Sequence, residues 1–383
     1  MKIAQVAPLF ESVPPVYYGG TERIVSYLTE ELVNQGHEVT LFASGDSTTK
    51  ARLISPCPRS LRLDPDCIDY LPYFYVMLEQ VFKEAAGLDL IHFHIDYLHF
   101  PLSRRQLTPH VTTLHGRLNI PDLTGLYREF SDIPLISISA AQREPLPWAG
   151  WQATVHHGLP LDLYELKTGE GNYLAFLGRV SREKRVDRAV EIATLAKMKL
   201  KIAAKVDAAD RDYFRTEIEP LLDNPLVEFM GEIDEKEKGE FLGDAYALLF
   251  PIDWCEPFGM VMIEAMACGT PVIAYPHGSV PEVLEDGITG FIVQSTREAA
   301  AALEKTTTFD RARCRRIFEK RFSVTRMAED YVKIYQRLCA RDNRGRGRRV
   351  QKEAIKLPPM AGRPGAGLST PAESRVAKST KED

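Results

Sequence analysis

Cysteine is scarce in this 383-residue chain, and none of the six residues is placed for metal or redox chemistry. No two of them form a Cys-x-x-Cys pair, and none clusters with histidines at the spacing of zinc ligands. Isolated cysteines of this kind are typical of a protein whose thiols stay reduced, so we expect a cytoplasmic location. The six are Cys57, Cys67, Cys255, Cys268, Cys314 and Cys339.

Long hydrophobic runs are also lacking. No stretch approaches the roughly 20 apolar residues of a transmembrane helix, and residues 1–8 are too short for a signal peptide. The sequence has no P-loop, no Gly-x-Ser-x-Gly motif and no Asp-x-Asp pair at the end of a predicted strand. These absences exclude the P-loop and serine-hydrolase classes, and they remove the usual site of a metal that bridges a diphosphate.

Charge is unevenly distributed along the chain. The formal net charge is −5, but residues 341–383 hold eleven Lys/Arg and five Asp/Glu, which leaves −11 on residues 1–340. An acidic body lacks the basic face that binds phosphates, so no nucleic-acid partner is expected. The end of the chain predicts a disordered basic tail. Two interpretations of it remain open: a solvated segment without a role, and weak peripheral contact with acidic lipid at the inner face of a membrane.

Short apolar runs alternate with amphipathic segments of helical period, in units of about 30 residues. This pattern is typical of a doubly wound parallel sheet, and it occurs twice. We therefore predict an α/β chain of two Rossmann-like domains that face each other across a cleft, at residues 1–160 and 161–322, followed by a helical segment at 323–340 and the tail at 341–383. The predicted strands are 3–7, 38–43, 88–93, 111–114, 135–139, 173–177, 199–204, 227–230, 247–251, 271–274 and 290–293.

The segment 251–271 has the pattern of a strand, a glycine-containing loop and a helix. Gly259 lets a ligand approach the backbone, and the free amides and dipole of the following helix favour an anion such as a diphosphate. Glu264 lies about one turn inside that helix, where it suits neutral hydroxyls such as those of a ribose. Glu256 precedes the helix and is placed to accept hydrogen bonds from sugar hydroxyls.

A second group of residues follows the first strand of the second half. Arg179 offers a planar fork and Lys184 a compact charge, which are two usual ways of holding a phosphate. Cations here would stabilise the charge that develops on a departing diphosphate. A third group, Gly19 and Gly20, joins the first strand to the first helix and is a candidate phosphate contact, although Glu22 also suits an ordinary helix start.

Histidines cluster at the ends of the third and fourth predicted strands. His92 and His94 alternate on one strand, with His99 and Asp96 nearby, but a metal site would need further ligands and supporting hydrogen bonds, so we do not favour a metal there. His115 lies where a strand ends at the predicted cleft. Contact with the transferred sugar and a purely structural role are both open for it.

Taken together, these residues resemble the family-4 retaining glycosyltransferases of the GT-B fold over most of residues 1–340. The segment from Glu256 to Pro271 is similar to that family's E-x7-E donor motif, and 178–184 is similar to its G-R-L/V…K motif. Residues 278–283 and 286–290 resemble two later signatures, and Gly19-Gly20 resembles the N-terminal glycine loop. His156-His157-Gly158 departs from the His-Asn-Gly that the family often has, which leaves the role of His157 open.

The resemblance implies a donor held mainly by the second domain, an acceptor held mainly by the first, and a last helix that crosses back to the first domain. It implies transfer of a sugar from a nucleotide-sugar with retention of configuration, and no cofactor or metal. On this basis Arg179, Lys184 and Glu256 are the expected catalytic residues. The expected donor-binding residues are Gly19, Gly20, His115, Phe258, Gly259, Met260, Val261 and Glu264.

Two other functions remain open at this point. A sugar-nucleotide epimerase of similar architecture would need acid/base groups in the cleft, and a non-catalytic nucleotide-sugar sensor would be expected to lose residues such as Arg179, Lys184 or Glu264. The base and sugar of the donor are not encoded in any motif that we recognise. The acceptor is equally open, and a sugar, a lipid-linked or a small-molecule acceptor all fit.

Overall fold

The computed structural model describes the backbone of residues 1–354 and the side chains of residues 1–341. Residues 1–340 form one compact unit that contains two parallel sheets. The seven strands of the first sheet are β1 (Lys2–Val6), β2 (Glu38–Phe42), β3 (Arg52–Ile54), β4 (Leu90–Phe93), β5 (His110–Thr113), β6 (Leu135–Ser137) and β7 (Trp151–Thr154). The six strands of the second are β8 (Leu174–Arg179), β9 (Leu200–Lys205), β10 (Val227–Gly231), β11 (Ala247–Phe250), β12 (Val272–Ala274) and β13 (Gly290–Ile292).

The α-helices lie between the strands and after the last one. In chain order they are α1 (Gly20–Asn34), α2 (Leu71–Glu84), α3 (Phe100–Ser103), α4 (Leu123–Glu129), α5 (Ala140–Arg143), α6 (Val186–Ala196), α7 (Arg211–Tyr213), α8 (Glu235–Gly243), α9 (Met260–Ala267), α10 (Val280–Val283), α11 (Thr296–Lys305), α12 (Arg311–Arg321) and α13 (Val324–Ala354). None of the helices within the described residues has the length and hydropathy of a membrane span.

Both sheets reverse their strand order at one point. The first runs β3-β2-β1-β4-β5-β6-β7 and the second runs β10-β9-β8-β11-β12-β13, with every described pair parallel. In the first sheet Val6 pairs with Phe42 on one side and Phe93 on the other, so the reversal lies between β1 and β4. In the second sheet it lies between β8 and β11. Ligands of open α/β sheets bind outside the carboxyl ends of the strands at such a reversal.

The central strands are buried on both faces, as their continuous apolar sequences predict. Every residue of Leu90–Phe93 is buried, and so is every residue of Ala247–Phe250. Helix α1 buries the side of Ile24, Leu28 and Leu32, which recur at helical spacing. The predicted doubly wound α/β architecture is therefore confirmed.

Helix α13 completes the core of the first sheet, although it comes last in the chain. Met327, Tyr331 and Tyr335 are fully buried in the same cluster as Ile3 and Ile24. The helical segment was predicted at 323–340, but the helix continues to Ala354. The rest of the predicted tail, residues 355–383, lies outside the described residues.

The predicted strands are all present, with ends shifted by one or two residues. Strands β3 and β7 were missed because each is short and only partly buried, so neither has a strong apolar pattern. Helix α2 was not among the predicted elements, because the segment around its start has no clear helical pattern. It begins at Leu71 with a proline in the first turn, and it buries Phe74, Met77 and Val81.

Candidate active site

A cleft of about 680 Å³ opens where the two strand-order reversals face each other. Its walls come from the segments that follow β1, β4, β8 and β11 and from the first turns of α1 and α9. The eleven residues that the sequence predicts for catalysis or donor binding all line it: Gly19, Gly20, His115, Arg179, Lys184, Glu256, Phe258, Gly259, Met260, Val261 and Glu264.

Gly259 forms the N-terminal boundary of α9 in a conformation that favours glycine. Its φ is 75°, and a Cβ there would lie 2.8 Å from the Cε of Met262 and 3.1 Å from the ring of Phe250. No side chain caps the helix, so the first backbone amides of α9 are not satisfied by a capping group. This end of the helix lines the cleft and is suited to an anion.

Glu256 is buried beside Lys184, the lysine that was predicted to bind the diphosphate. Lys184 Nζ forms an ion pair with Glu256 Oε2, and Trp254 Nε1 donates a hydrogen bond to the same oxygen at 3.0 Å. The ammonium also lies 5.1 Å from the centre of the Trp254 ring. The contacts hold the carboxylate and the ammonium in one place at the carboxyl ends of β8 and β11.

The loop that carries Glu256 is fixed from behind by Gly278 and Ser279. A Cβ on Gly278, which has a φ of 60°, would lie 2.3 Å from the backbone nitrogen and oxygen of Glu256. The Ser279 amide donates to the Glu256 carbonyl at 2.9 Å, and its hydroxyl donates to the Phe258 carbonyl at 2.8 Å. The glycine is therefore required by close backbone packing.

Arg179 ends β8 and is surrounded by carboxylates. Its guanidinium lies 2.7 Å from Glu183, 3.5 Å from Asp207 and 3.8 Å from Asp210. Its Nε is buried and has no hydrogen-bond partner among the described residues. About one third of the side chain is exposed, so the guanidinium faces the cleft while the acids fix its position.

Glu264 belongs to a charge network that the sequence analysis missed. It lies 3.3 Å from Lys238 Nζ, which in turn lies 3.4 Å from Glu235. Glu235 forms an ion pair with Arg23 of α1 and accepts a hydrogen bond from the Tyr164 hydroxyl. The Asp234–Glu237 capping box marks the start of α8 in the sequence, but it does not reveal which residues α8 contacts.

The glycine loop before α1 reaches toward the second half of the molecule. A Cβ on Gly20 would lie 3.9 Å from the Sδ of Met260, so this loop faces the start of α9. A Cβ on Gly19 would lie 2.7 Å from Pro15, which leaves no room for a side chain. The Tyr18 amide donates to Glu232 at 3.1 Å and adds a second contact between the halves.

A hydrogen-bond chain sets the tautomer of His115. Gln5 Oε1 only accepts, so His94 Nε2, at 2.8 Å, must donate to it. Burial lowers the pKa of His94 well below its usual range, so its other nitrogen, Nδ1, is an acceptor. His115 Nε2 therefore donates to it at 2.9 Å. This leaves His115 Nδ1 unprotonated, and it has no hydrogen-bond partner in the described part of the chain.

The other clustered histidines are engaged in hydrogen bonds at both ring nitrogens. His92 contacts the hydroxyls of Tyr335 and Thr113, each at 2.7 Å. His99 contacts the hydroxyls of Ser103 and Thr112, each at 2.8 Å. These contacts explain why the two rings are buried. Among the described residues, no group of three or more His, Cys, Asp or Glu is arranged to hold a metal.

Two carboxylates on the N-terminal side of the cleft were not singled out from the sequence as site residues. Burial raises the pKa of Glu22, in the first turn of α1, to about 7. The surrounding protein raises the pKa of Asp96 to about 6, although this residue is open to the cleft. Asp96 also has a φ of 50°, in the left-handed region that few non-glycine residues adopt, although aspartate does so more often than most. No sequence pattern marks either residue.

Comparison with known proteins agrees with the fold. Residues 18–149 match the family described as Glycosyltransferase Family 4, and residues 165–317 match Glycosyl transferases group 1. The two parallel-sheet domains, together with these two matches, show that this chain has the GT-B fold of glycosyltransferases. The chain belongs to the family-4 glycosyltransferases, and the predicted resemblance is confirmed.

Three similar proteins illustrate the relationship. The phosphatidyl-myo-inositol mannosyltransferase of Mycolicibacterium smegmatis is 27% identical over 76% of this chain and 81% of its own. The alpha-maltose-1-phosphate synthase of Mycobacterium tuberculosis is 30% identical over 43% and 48%. The Anabaena protein HepE, in complex with UDP-glucose, superposes with a TM-score of 0.67 at 18% identity, over 89% of this chain and all of HepE. The alignments with the first curated relatives, including the synthase, span about half of those proteins.

Proposed function

We propose that the protein transfers a sugar from a nucleoside-diphosphate sugar to a hydroxyl group of an acceptor, with retention of configuration. The observation that carries this proposal is the convergence of complementary groups on one cleft. Arg179, Lys184 and the uncapped start of α9 favour a diphosphate. Glu256 and Glu264 lie on the same cleft and are acceptors for hydroxyl groups.

In the proposed step, the acceptor oxygen bonds to the anomeric carbon while the bond from that carbon to the diphosphate oxygen breaks. The electron pair of the broken bond leaves with the diphosphate, and the acceptor proton passes to the departing phosphate oxygen on the same face. Lys184, Arg179 and the dipole of α9 stabilise the charge that accumulates there. Because these groups already supply positive charge, we propose that no divalent metal is required.

The two carboxylates have separate proposed roles. Glu256 lies beside Lys184, so it would accept from hydroxyls of the sugar that is attached to the diphosphate. Glu264 lies further along α9 and is held by Lys238 of α8. It would accept hydrogen bonds from the ribose hydroxyls. His115 would accept from a sugar hydroxyl through its unprotonated nitrogen. HepE, which superposes on this chain, was crystallised with UDP-glucose, and this supports a nucleotide-sugar donor here.

The cellular location is a separate part of the proposal, and the identity of the donor is left to experiment. All six cysteines are free, which suits a reducing compartment, and we propose a cytoplasmic location. The donor panel to test comprises UDP-glucose, GDP-mannose and ADP-glucose together with their nucleoside diphosphates.

The test is a thermal-shift measurement with this panel on the full chain, followed by product analysis. A donor at about 100 times its Kd should stabilise the fold by roughly 2.7 kcal/mol. Release of nucleoside diphosphate that persists in EDTA, with retained anomeric configuration by NMR, is the expected result. A donor isomerised without release would indicate an epimerase, and tight binding without turnover would indicate a sensor. If no nucleotide in the panel raises the melting temperature or is turned over, the proposal fails.

A further inference from the structure

The N-terminal side of the cleft carries a group of aromatic rings beyond the proposed donor site. Phe10, Tyr70 and Phe74 pack edge to face or tilted, with ring centres 5.2 Å to 6.2 Å apart. Tyr97 lines the same cleft. Tyr70 is 46% exposed and Tyr97 is 38% exposed, so both rings are open to a ligand. Open ring faces suit the apolar C–H face of a sugar ring.

Two carboxylates line the same side of the cleft without ion-pair partners. Neither Glu22 nor Asp96 forms an ion pair with any described residue, whereas Glu11 nearby is paired with Arg62. Glu22 begins α1 after β1, and Asp96 follows β4, the neighbour of β1 in the sheet. Both therefore lie at the strand-order reversal of the first sheet. When they are ionised, above their raised pKa values of about 7 and about 6, these two groups accept hydrogen bonds from hydroxyl groups and repel a phosphate.

The arginines on this side of the cleft already have partners. Arg62 lies 2.8 Å from Glu11, and Arg23 forms its ion pair with Glu235. Arg117 donates to a neighbouring side-chain amide at 2.7 Å. A phosphate group on the acceptor would have to displace these partners, as the diphosphate must at Arg179 and Lys184, but unlike the diphosphate it would also face two carboxylates without ion-pair partners. The electrostatic arrangement thus disfavours a phosphorylated acceptor.

We propose that the acceptor is an uncharged carbohydrate, whose ring stacks on Tyr97 and Tyr70 while its hydroxyls donate to Glu22 and Asp96. This inference rests on the proposed function and adds the chemical class of the second substrate. The attacking hydroxyl would belong to this sugar, and its proton would leave to the diphosphate as described above. Glu22 and Asp96 are then specificity-determining residues that are not needed for binding the donor.

The experiment compares direct binding of neutral and phosphorylated sugars to the full chain in the presence of UDP. The neutral probes are methyl glycosides of glucose, galactose, mannose and N-acetylglucosamine, with maltose and cellobiose. The charged probes are glucose 6-phosphate, mannose 6-phosphate and galactose 6-phosphate. Saturation-transfer NMR should show at least one neutral probe that binds tenfold or more tightly than every phosphorylated one. Equal binding, no binding of either set, or preference for a phosphate overturns the proposal.

Variants then assign the residues. Glu22→Gln and Asp96→Asn should each weaken the neutral probe at least fivefold, while the thermal shift produced by UDP stays as in the wild type. Asp122→Asn, at an exposed position outside the cleft, is the matched control and should change neither. Unchanged probe binding in both cleft variants overturns the assignment. If UDP gives no thermal shift with the wild type, the same comparison is run with GDP or ADP, and only the absence of a shift with all three would count against the proposed function.

Discussion

Arg23 of α1 and Glu235 of α8 form an ion pair that joins the two halves of the protein across the cleft. The arginine side chain is only 5% exposed, and the glutamate is 21% exposed. Glu235 is also close to Lys238, which contacts Glu264 of the donor helix. A contact between the halves is thus connected by three charged side chains to the proposed ribose site.

Replacing Arg23 by Met should therefore destabilise the fold and weaken donor binding together. Removal of one partner from a largely buried pair leaves Glu235 without its charge partner, and we expect the free energy of unfolding to fall by about 3 kcal/mol, since Glu235 is partly exposed. Urea unfolding and the KM of the donor are the measurements. Arg52→Met is the control, because the Arg52–Glu84 pair is exposed and should contribute about 0.5 kcal/mol or less. Similar losses in both variants would contradict the prediction.

Replacing Lys184 by Met should reduce kcat by about 100-fold or more, since removal of one preorganised electrostatic group typically has that effect. The protein should still fold, although the loss of the charge partner of Glu256 should lower the urea midpoint. Release of nucleoside diphosphate is the measurement. Lys83→Met is the control at an exposed position on α2 and should keep wild-type turnover. A kcat for Lys184→Met within threefold of the wild type would remove Lys184 from the diphosphate site.

Replacing Gly278 by Ala should abolish donor binding, because the new Cβ would collide with the backbone of Glu256. Gly287 offers a matched control: its φ of 72° is also positive, but a Cβ there meets no atom within 4 Å. Gly287→Ala should thus lower the free energy of unfolding by only about 1 kcal/mol, through backbone strain. It should keep the wild-type KM of the donor. Isothermal titration with the donor distinguishes the two variants, and equal affinities would show that the packing is not required.

Burial raises the pKa of Glu22 from 4.5 to about 7, so the folded state binds this proton more tightly than the unfolded state. The stabilisation is complete below pH 4.5 and is lost as the pH rises through 7. At about 1.36 kcal/mol per pKa unit, the free energy of unfolding should fall by roughly 3 kcal/mol between these two pH values. Glu22→Gln should remove this loss, while Asp122→Asn should follow the wild type. Urea unfolding from pH 4 to 8 is the measurement, and parallel wild-type and Glu22→Gln curves would contradict it.

Burial lowers the pKa of His115 to about 3, so its ring should remain neutral from pH 5 to 8 with the proton on Nε2. Nitrogen-15 NMR of the histidine rings reports this tautomer directly. Gln5→Leu removes the acceptor of His94 and should give a mixture of tautomers at His115. An imidazolium signal at pH 6, or a proton on Nδ1 in the wild type, would show that the hydrogen-bond chain has a different direction.

The parts of the site that could be predicted from the sequence are those held by local pattern. Gly259 and Glu264 belong to one strand–loop–helix segment, and Gly19 marks the turn before α1, so their positions at strand ends follow from period and glycine placement. Lys238 and Arg23 could not be found in this way. Their contacts join α8 to α9 and α1 to α8. Such pairs depend on how the two halves pack, which no local pattern encodes.

The acceptor side was harder to predict for a similar reason. Aspartate is common in loops, so nothing in the sequence marks Asp96. Only its φ of 50° and its position beside β1 distinguish it. The aromatic group brings Phe10 together with Tyr70, sixty residues later in the chain. Helix α2 was itself not predicted, so Phe74, which it carries, and Tyr70, which precedes it, could not be placed at the cleft.

The position of α13 has a consequence for how the protein is made. Tyr335 accepts a hydrogen bond from Gln5, 330 residues earlier in the chain, and it contacts His92 at 2.7 Å. A ribosome releases the first sheet long before it releases this helix. The apolar surface that α13 covers is therefore exposed in the nascent N-terminal half. The strands and helices α6 to α11 of the second half are consecutive in the chain, so they can fold before α13 packs on the first sheet. Until α13 is made, the first sheet lacks core side chains such as Tyr331 and Tyr335, and apolar surface left exposed in this way favours aggregation.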